Sequence, residues 1–298
     1  MKSQYLIGFL GLVFTMVFTP MLPAFAVAPN SIQITGIIRD FCNPSTLGCS
    51  AHIDFEDGIG GVQTGQVSST LGGDDNPVYV PPDKPGFHGA ANFDQWYNDV
   101  AGINSPGACT FTLNKISDTP PTYKFEDTSF FPIDESAPEC ESGSHFGNQG
   151  RSHNYHFTLE IHTSFTYDAG AGQTLQVSNS DDDLWYFVND KLVVDLGGVH
   201  GPTSAPAVNL DTLAGTLGLV DGGTYPLDIF FAERHTSESN FKFTTFLLEQ
   251  PTPVIGGEII PIETTALLLA GTQTSTIWIV PLAAISGTLI TIFKIRRS

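Results

Sequence analysis

The sequence predicts an all-β protein, an antiparallel β-sandwich ectodomain followed by one C-terminal transmembrane helix. Three observations carry that expectation. Tyr155, Phe157, Leu159 and Ile161 alternate with His156, Thr158, Glu160 and His162, the period of a half-buried strand. Two strand-like runs, Leu184 to Val188 and Lys191 to Leu196, are joined by Asn189-Asp190, residues that tolerate positive φ and favour a tight hairpin. Gly and Pro, 30 and 20 of them, punctuate a chain that shows neither an internal repeat nor a long amphipathic helix, as expected of short strands joined by turns.

In chain order, residues 1–26 carry Lys2, an apolar stretch from Tyr5 to Phe18 and the small-residue pattern Ala24-Phe25-Ala26, the layout of a cleavable secretory signal. Residues 27–250 are of a usual size for one all-β domain. Residues 251–275 begin with Pro251-Thr252-Pro253 and read as a stem. Residues 276–293 are apolar apart from Ser and Thr; at 1.5 Å per residue they reach about 27 Å, enough to cross the hydrocarbon core as a helix. The basic tail 294–298, with Lys294, Arg296 and Arg297, fits the cytoplasmic side and places the domain outside the cell.

Within the domain, His156 and His162 share a strand face with Glu160. At about 3.3 Å per residue the two imidazoles stand roughly 20 Å apart, too far for one ion, so that face is expected to be solvated. The hairpin register sets Val188 opposite Lys191 and Leu184 opposite Asp195. One face then collects Trp185, Phe187, Leu192 and Val194 and the other Tyr186, Val188 and Val193, an interior hairpin covered on both sides. Asp181, Asp182 and Asp183 fall at its open end, beside the loop Gly197 to Gly201. Two further strands, Thr224 to Ala232 and Phe241 to Leu248, are joined by the polar connection Glu233 to Asn240, the kind of loop on which binding residues sit.

Four cysteines, Cys42, Cys49, Cys109 and Cys140, lie in the first half of the exported segment, where thiols oxidise in pairs. The spacing favours Cys42 with Cys49 and Cys109 with Cys140, although four cysteines allow three connectivities. Without a Cys-x-x-Cys pair, zinc is not indicated. Of 12 Lys and Arg, four lie in the two terminal segments, leaving 8 against 31 Asp and Glu, a formal balance near −23. Such a surface repels nucleic acid and anionic lipid and favours divalent cations.

The run SDDDLWYFVNDKLVVDLGGVH, followed by DGGTYPLDIFFAERHTSESNF, resembles the signature of the fibro-slime domain, and IIRDF, HIDFE, FDQWYNDV and FFPID resemble it upstream, so the likeness covers roughly residues 33 to 250. That family is related to the protective-antigen-type β-sandwich, which includes carbohydrate-binding flocculins. The resemblance implies a Ca²⁺ site in which adjacent aspartates before a strand hold the ion and a later loop adds ligands. The matching pair is Asp181-Asp182, with Asp183 where relatives often carry Gly, so which two of the three ligate stays open; Asn240 matches the later loop. The stem and tail resemble the ends of certain archaeal surface proteins.

The expected function is therefore a non-enzymatic cell-surface adhesin or glycan-binding module, dependent on Ca²⁺, with extracellular carbohydrate or neighbouring surface proteins as partners and the membrane reached through the C-terminal helix. A structural envelope protein with no small ligand is the alternative. A polysaccharide hydrolase is less favoured, because no Gly-x-Ser-x-Gly elbow, His-Glu-x-x-His helix or carboxylate pair of defined separation stands out.

Overall fold

The computed structural model describes residues 28–42, 50–135, 140 and 146–246. The segments expected as signal, stem, transmembrane span and basic tail, together with Cys49, lie outside the described residues. Among the described residues no helix is long and apolar enough to cross a membrane.

Among the described residues twelve strands follow one another: β1 (Ser31–Phe41), β2 (Val67–Leu71), β3 (Pro77–Tyr79), β4 (Asn104–Asp118), β5 (Pro121–Asp127), β6 (Phe157–Thr166), β7 (Thr174–Leu175), β8 (Asp183–Val188), β9 (Lys191–Leu196), β10 (Val208–Asn209), β11 (Thr224–Glu233) and β12 (Phe241–Thr245). Every pairing is antiparallel, and ten strands form one hydrogen-bonded sheet in the order β12-β5-β4-β1-β6-β11-β8-β9-β2-β3. The protein is all-β, as the sequence predicts. Two short helices, α1 (Ala90–Phe93) and α2 (Leu210–Leu217), interrupt it; Asn209 caps α2 by accepting from Thr212 N, and Gly218 ends it in the left-handed region.

Four strands separate β12 from β11 in this order, yet the Phe241 and Phe231 rings lie 4.9 Å apart. The sheet therefore curls until its β12-β5-β4 end covers β11 and β8, giving two layers around one core of Phe111, Phe130, Phe157, Leu159, Tyr186, Phe231 and Phe241. A second core lies on the opposite face of β8 and β11, where Trp185, Phe187 and Phe230 meet Phe55, Phe87, Phe93, Trp96 and Tyr97 from the N-terminal half. This is why every residue of β8 is buried.

The hairpin forms with Asn189 and Asp190 both at positive φ, 48° and 62°. Val188 faces Lys191 as expected, but a bulge at Val193 shifts the register beyond it: Leu184 faces Leu196, and Asp195 faces Trp185 and accepts from its indole N–H at 3.0 Å. Val194 consequently joins the Tyr186 side. The solvated face expected for β6 needs a larger correction. His156 and Glu160 are buried, His156 against Glu56 and Glu160 against Arg39, because the N-terminal half packs over that face; His162 remains partly exposed and bonds Asp228.

Cys109 on β4 is bonded to Cys140, as the spacing favours, and Cys42 is also in a disulfide. Denatured but unreduced protein is expected to react with no iodoacetamide, and reduced protein at four sites; labelling before reduction would show free thiols instead.

Candidate functional site

The open end of the β8-β9 hairpin gathers four segments. Ser180 exchanges backbone hydrogen bonds with Thr203, at 2.8 and 2.9 Å, and Asp181 N donates to Asn240 O at 3.1 Å. The peptide between Asp181 and Asp182 is cis. The 197–201 loop passes close enough to donate to both following aspartates: His200 N to Asp182 Oδ1 at 2.9 Å, and Gly198 N to Asp183 Oδ1. Gly198 has φ +101°, and a Cβ there would stand 2.5 Å from Gly61 O, so a side chain would push the loop off the carboxylates.

The structure brings all four expected site residues, Asp181, Asp182, Asp183 and Asn240, to this one end, each buried. Their surroundings differ. Asp182 Oδ2 accepts from Arg234 N at 3.1 Å, so each of its oxygens already holds one backbone donor. Asp183 points to the other side of β8, where its Oδ2 takes Arg234 Nε at 2.6 Å. Burial, with the neighbouring Asp182 charge, pushes the Asp181 carboxyl up to about 8. Burial also raises Asp182, to about 6, against the pull of Arg234. Among the described residues no three His, Cys, Asp or Glu side chains converge as metal ligands.

Two residues that the sequence did not single out organise this end. Arg234 is fully buried: beyond Asp183, its Nη1 donates to Asp54 O at 3.0 Å and Gly86 O at 2.6 Å, and its guanidinium lies 4.8 and 4.7 Å from the Phe87 and Trp96 ring centroids. Asp54 in turn accepts from Trp96 Nε1 and pairs with His88 Nδ1. Glu56 accepts from Arg151 Nη1 at 2.8 Å and Thr236 N at 3.1 Å and bonds His156 Nε2 at 2.9 Å, tying the N-terminal half to the loop that ends in Asn240. Burial opposes ionisation of Glu56, but the His156 bond and the Arg151 charge outweigh it and hold the carboxyl down at about 2. The available signal was the grouping of charged with aromatic residues in HIDFE and FFAERH, a composition that suits buried ion pairs better than loops. Glu56→Gln is expected to cost about 1.5 kcal/mol, the low end for bonds to a charged group, read as a lower urea midpoint; an unchanged midpoint would show the loop to be held without it.

At the other end of the hairpin, Asp74, Asp75, Asp190, Asp228 and His162 line an open cleft of about 650 Å³.

Residues 145–255 match the family model of the PA14 domain. The matched segment includes β6 to β12 and all four expected site residues, whereas Glu56 and Asp54 precede it. Over a longer stretch the chain is similar to curated proteins of Dictyostelium discoideum. It is 36% identical to Protein psiQ over 222 residues, 72% of this chain and 21% of psiQ. It is 39% identical to Protein psiR over 210 residues, 66% of this chain and 20% of psiR. With Protein psiD it shares 36% identity over 228 residues, 74% of this chain and 42% of psiD. The chain thus spans about a fifth to under a half of the length of these relatives. Among solved structures, the PA14 domain of the MpAFP antifreeze protein aligns with 12% identity and a TM-score of 0.27, covering 45% of this chain and 65% of that one.

Proposed function

We propose that this chain is a non-enzymatic cell-surface adhesin or glycan-binding module, of the fibro-slime kind, that holds Ca²⁺ at Asp181, Asp182 and Asn240. The observation that carries the reading is the convergence of two adjacent carboxylates and the Asn240 loop at one end of a rigid hairpin. The donor set fits the ion. Calcium takes six to eight oxygen ligands, and this end offers two carboxylates, a side-chain amide and loop carbonyls, with no thiol among them. Asp181 and Asp182 face the Asn240 loop, while Asp183 is engaged by Arg234 and Gly198 and serves as their support. When bound, the ion supplies positive charge against the repelling pair and open coordination positions for sugar hydroxyls. The chain's own part is to fix the Asp182 carboxylate through His200 N and Arg234 N, so that less ordering remains at binding.

The PA14 match supports a carbohydrate-binding or adhesion-type module. The Cys109–Cys140 disulfide supports an exported location, with residues 276–293 as the anchor. Calorimetric titration of the purified protein with Ca²⁺, followed by a glycan array with and without chelator, tests the proposal. Calcium-dependent capture of a glycan is expected. Heat-free titrations and an empty array would leave a structural envelope protein as the better reading.

A further inference from the structure

The backbone groups that hold Asp182 are themselves held by one segment of the N-terminal half. Arg234 N and His200 N donate to the two oxygens of Asp182. Glu56 N donates to Arg234 O at 2.8 Å. Gly61 N donates to Val199 O at 3.0 Å, the carbonyl of the same peptide group whose N–H, on His200, reaches Asp182. Gln63 N continues the contact to Gly197 O, and a Cβ on Gly198 would stand 2.5 Å from Gly61 O, so the two backbones touch. Residues 56–61 therefore form a strap fastened at both ends to the supports of Asp182, with one peptide group between its Gly61 end and that carboxylate. The strap precedes the segment that matches the PA14 model.

Between the two fastenings the strap carries Asp57, Gly58, Ile59 and Gly60. A Cβ on Gly58 would meet nothing within 4 Å, so the strap stands clear of the body behind it there. Ile59 is 72% exposed, and Val62, just past the Gly61 fastening, is exposed as well. A scattered exposed aliphatic residue is ordinary; these two sit on a segment fastened to the candidate ligand end and supply apolar surface beside it. The rings of Phe55, Phe87, Trp96 and Trp185 are buried in the second core, so none of them offers a flat face on which a sugar ring could stack. An aliphatic side chain suits a methyl group instead. Two positions before Ile59, the half-exposed Asp57 pairs through Oδ2 with His88 Nε2 at 3.3 Å, and its carboxylate retains open acceptor positions.

We propose that residues 57–59 are the selectivity wall of the glycan site and favour 2-acetamido sugars, with Asp57 accepting from the acetamido N–H and Ile59 covering its methyl group. The inference rests on the glycan-binding reading and deepens it by naming the class of sugar. A plain hydroxyl at the same carbon brings a donor without a methyl group, and a deoxy sugar brings a methyl group without a donor. Only the acetamido group uses both side chains.

The test is binding of the full chain, in saturating Ca²⁺, to two matched pairs: N-acetylglucosamine with glucose, and N-acetylgalactosamine with galactose. The wild type should prefer the acetamido member of at least one pair. Burying one methyl group is worth about fourfold in affinity, so Ile59→Ser should lower that preference about fourfold. A hydrogen bond to a charged group is worth about tenfold, so Asp57→Asn should lower it about tenfold. Ile116→Ser, an equally exposed aliphatic position on β4, should leave it unchanged. Ile59 is exposed, so its variant should keep the wild-type melting temperature; if Asp57→Asn does not fold, Ile59→Ser alone decides. Equal affinity for both members of each pair, a preference that survives Ile59→Ser, or an equal loss for both members would overturn the inference. A wild-type chain that binds no sugar in Ca²⁺ defeats the glycan-binding reading itself, whereas sugar binding without the acetamido preference defeats this inference alone.

Discussion

Arg234→Met is expected to be among the most destabilising single changes in the domain, at about 3–5 kcal/mol, the usual cost of removing one partner of a buried ion pair. The guanidinium makes an ion pair with Asp183, donates to two backbone carbonyls and stacks near two aromatic rings, all inside the second core. Methionine fills part of the volume but leaves Asp183 as a buried charge and the Asp54 and Gly86 carbonyls without donors. The double change Arg234→Met with Asp183→Asn should recover part of the loss, because the uncompensated charge disappears with its partner. Urea unfolding of the three proteins reads this directly. A loss below about 1 kcal/mol for Arg234→Met would mean that the pair is solvated and that the second core does not depend on it.

The second large effect is the response to calcium and its dependence on pH. Asp181 and Asp182 have carboxyls raised to about 8 and about 6 in the folded protein, above their unfolded values. Between pH 4 and 8 these two groups therefore hold more protons in the folded chain than in the unfolded one, and their contribution makes metal-free stability fall as pH rises, whereas His52 and His156, lowered by burial, contribute in the opposite sense. Burial also raises Glu160, Asp228 and Glu233, which adds to the fall. Calcium replaces protons on the pair, so its benefit should be small at pH 5 and large at pH 8. At free calcium a hundred times the dissociation constant the gain is about 2.7 kcal/mol, or about 5–10 °C in melting temperature for a domain of this length. Asp182→Asn should remove most of that increment, because it keeps the shape and drops the charge. Equal melting temperatures with calcium and with chelator at pH 8 would sink the site and leave the acidic turn as structure only.

The hairpin and its aspartates were legible in the sequence because their signals are local. The acidic run at Asp181, the two strand-like runs with their Asn-Asp link and the neighbouring Gly-rich loop all lie within some 20 residues of one another. The bulge at Val193 was not legible, since nothing in KLVVDL distinguishes a regular strand from one with an extra residue. The second core was missed for a different reason. Phe55, Phe87 and Trp96 stand in irregular or briefly helical segments without periodicity, and they meet β8 and β11 only through long-range packing. Once that layer is in place, His156, Glu160 and Arg234 change from surface residues to buried, paired ones. Of the site, sequence could group the four expected residues, but the roles of Glu56 and Arg234 depend on contacts across 180 positions in each case.

The position of β12 has a mechanical meaning. Its five residues begin directly after Asn240, at the candidate binding end, and run toward the C-terminal side of the domain, paired with β5 through the register Phe241 to Asp127 and Thr245 to Tyr123. A pull between a ligand held at Asn240 and the chain beyond Thr245 loads this strand lengthwise, so that its rungs share the tension in shear and do not open one at a time. The Asp181–Asn240 bridge passes part of that tension sideways toward β8, in the interior of the sheet. A domain built this way would meet traction with its short last strand and the Asp181–Asn240 bridge together, so that resistance to pulling and the candidate binding end share the same few peptide groups.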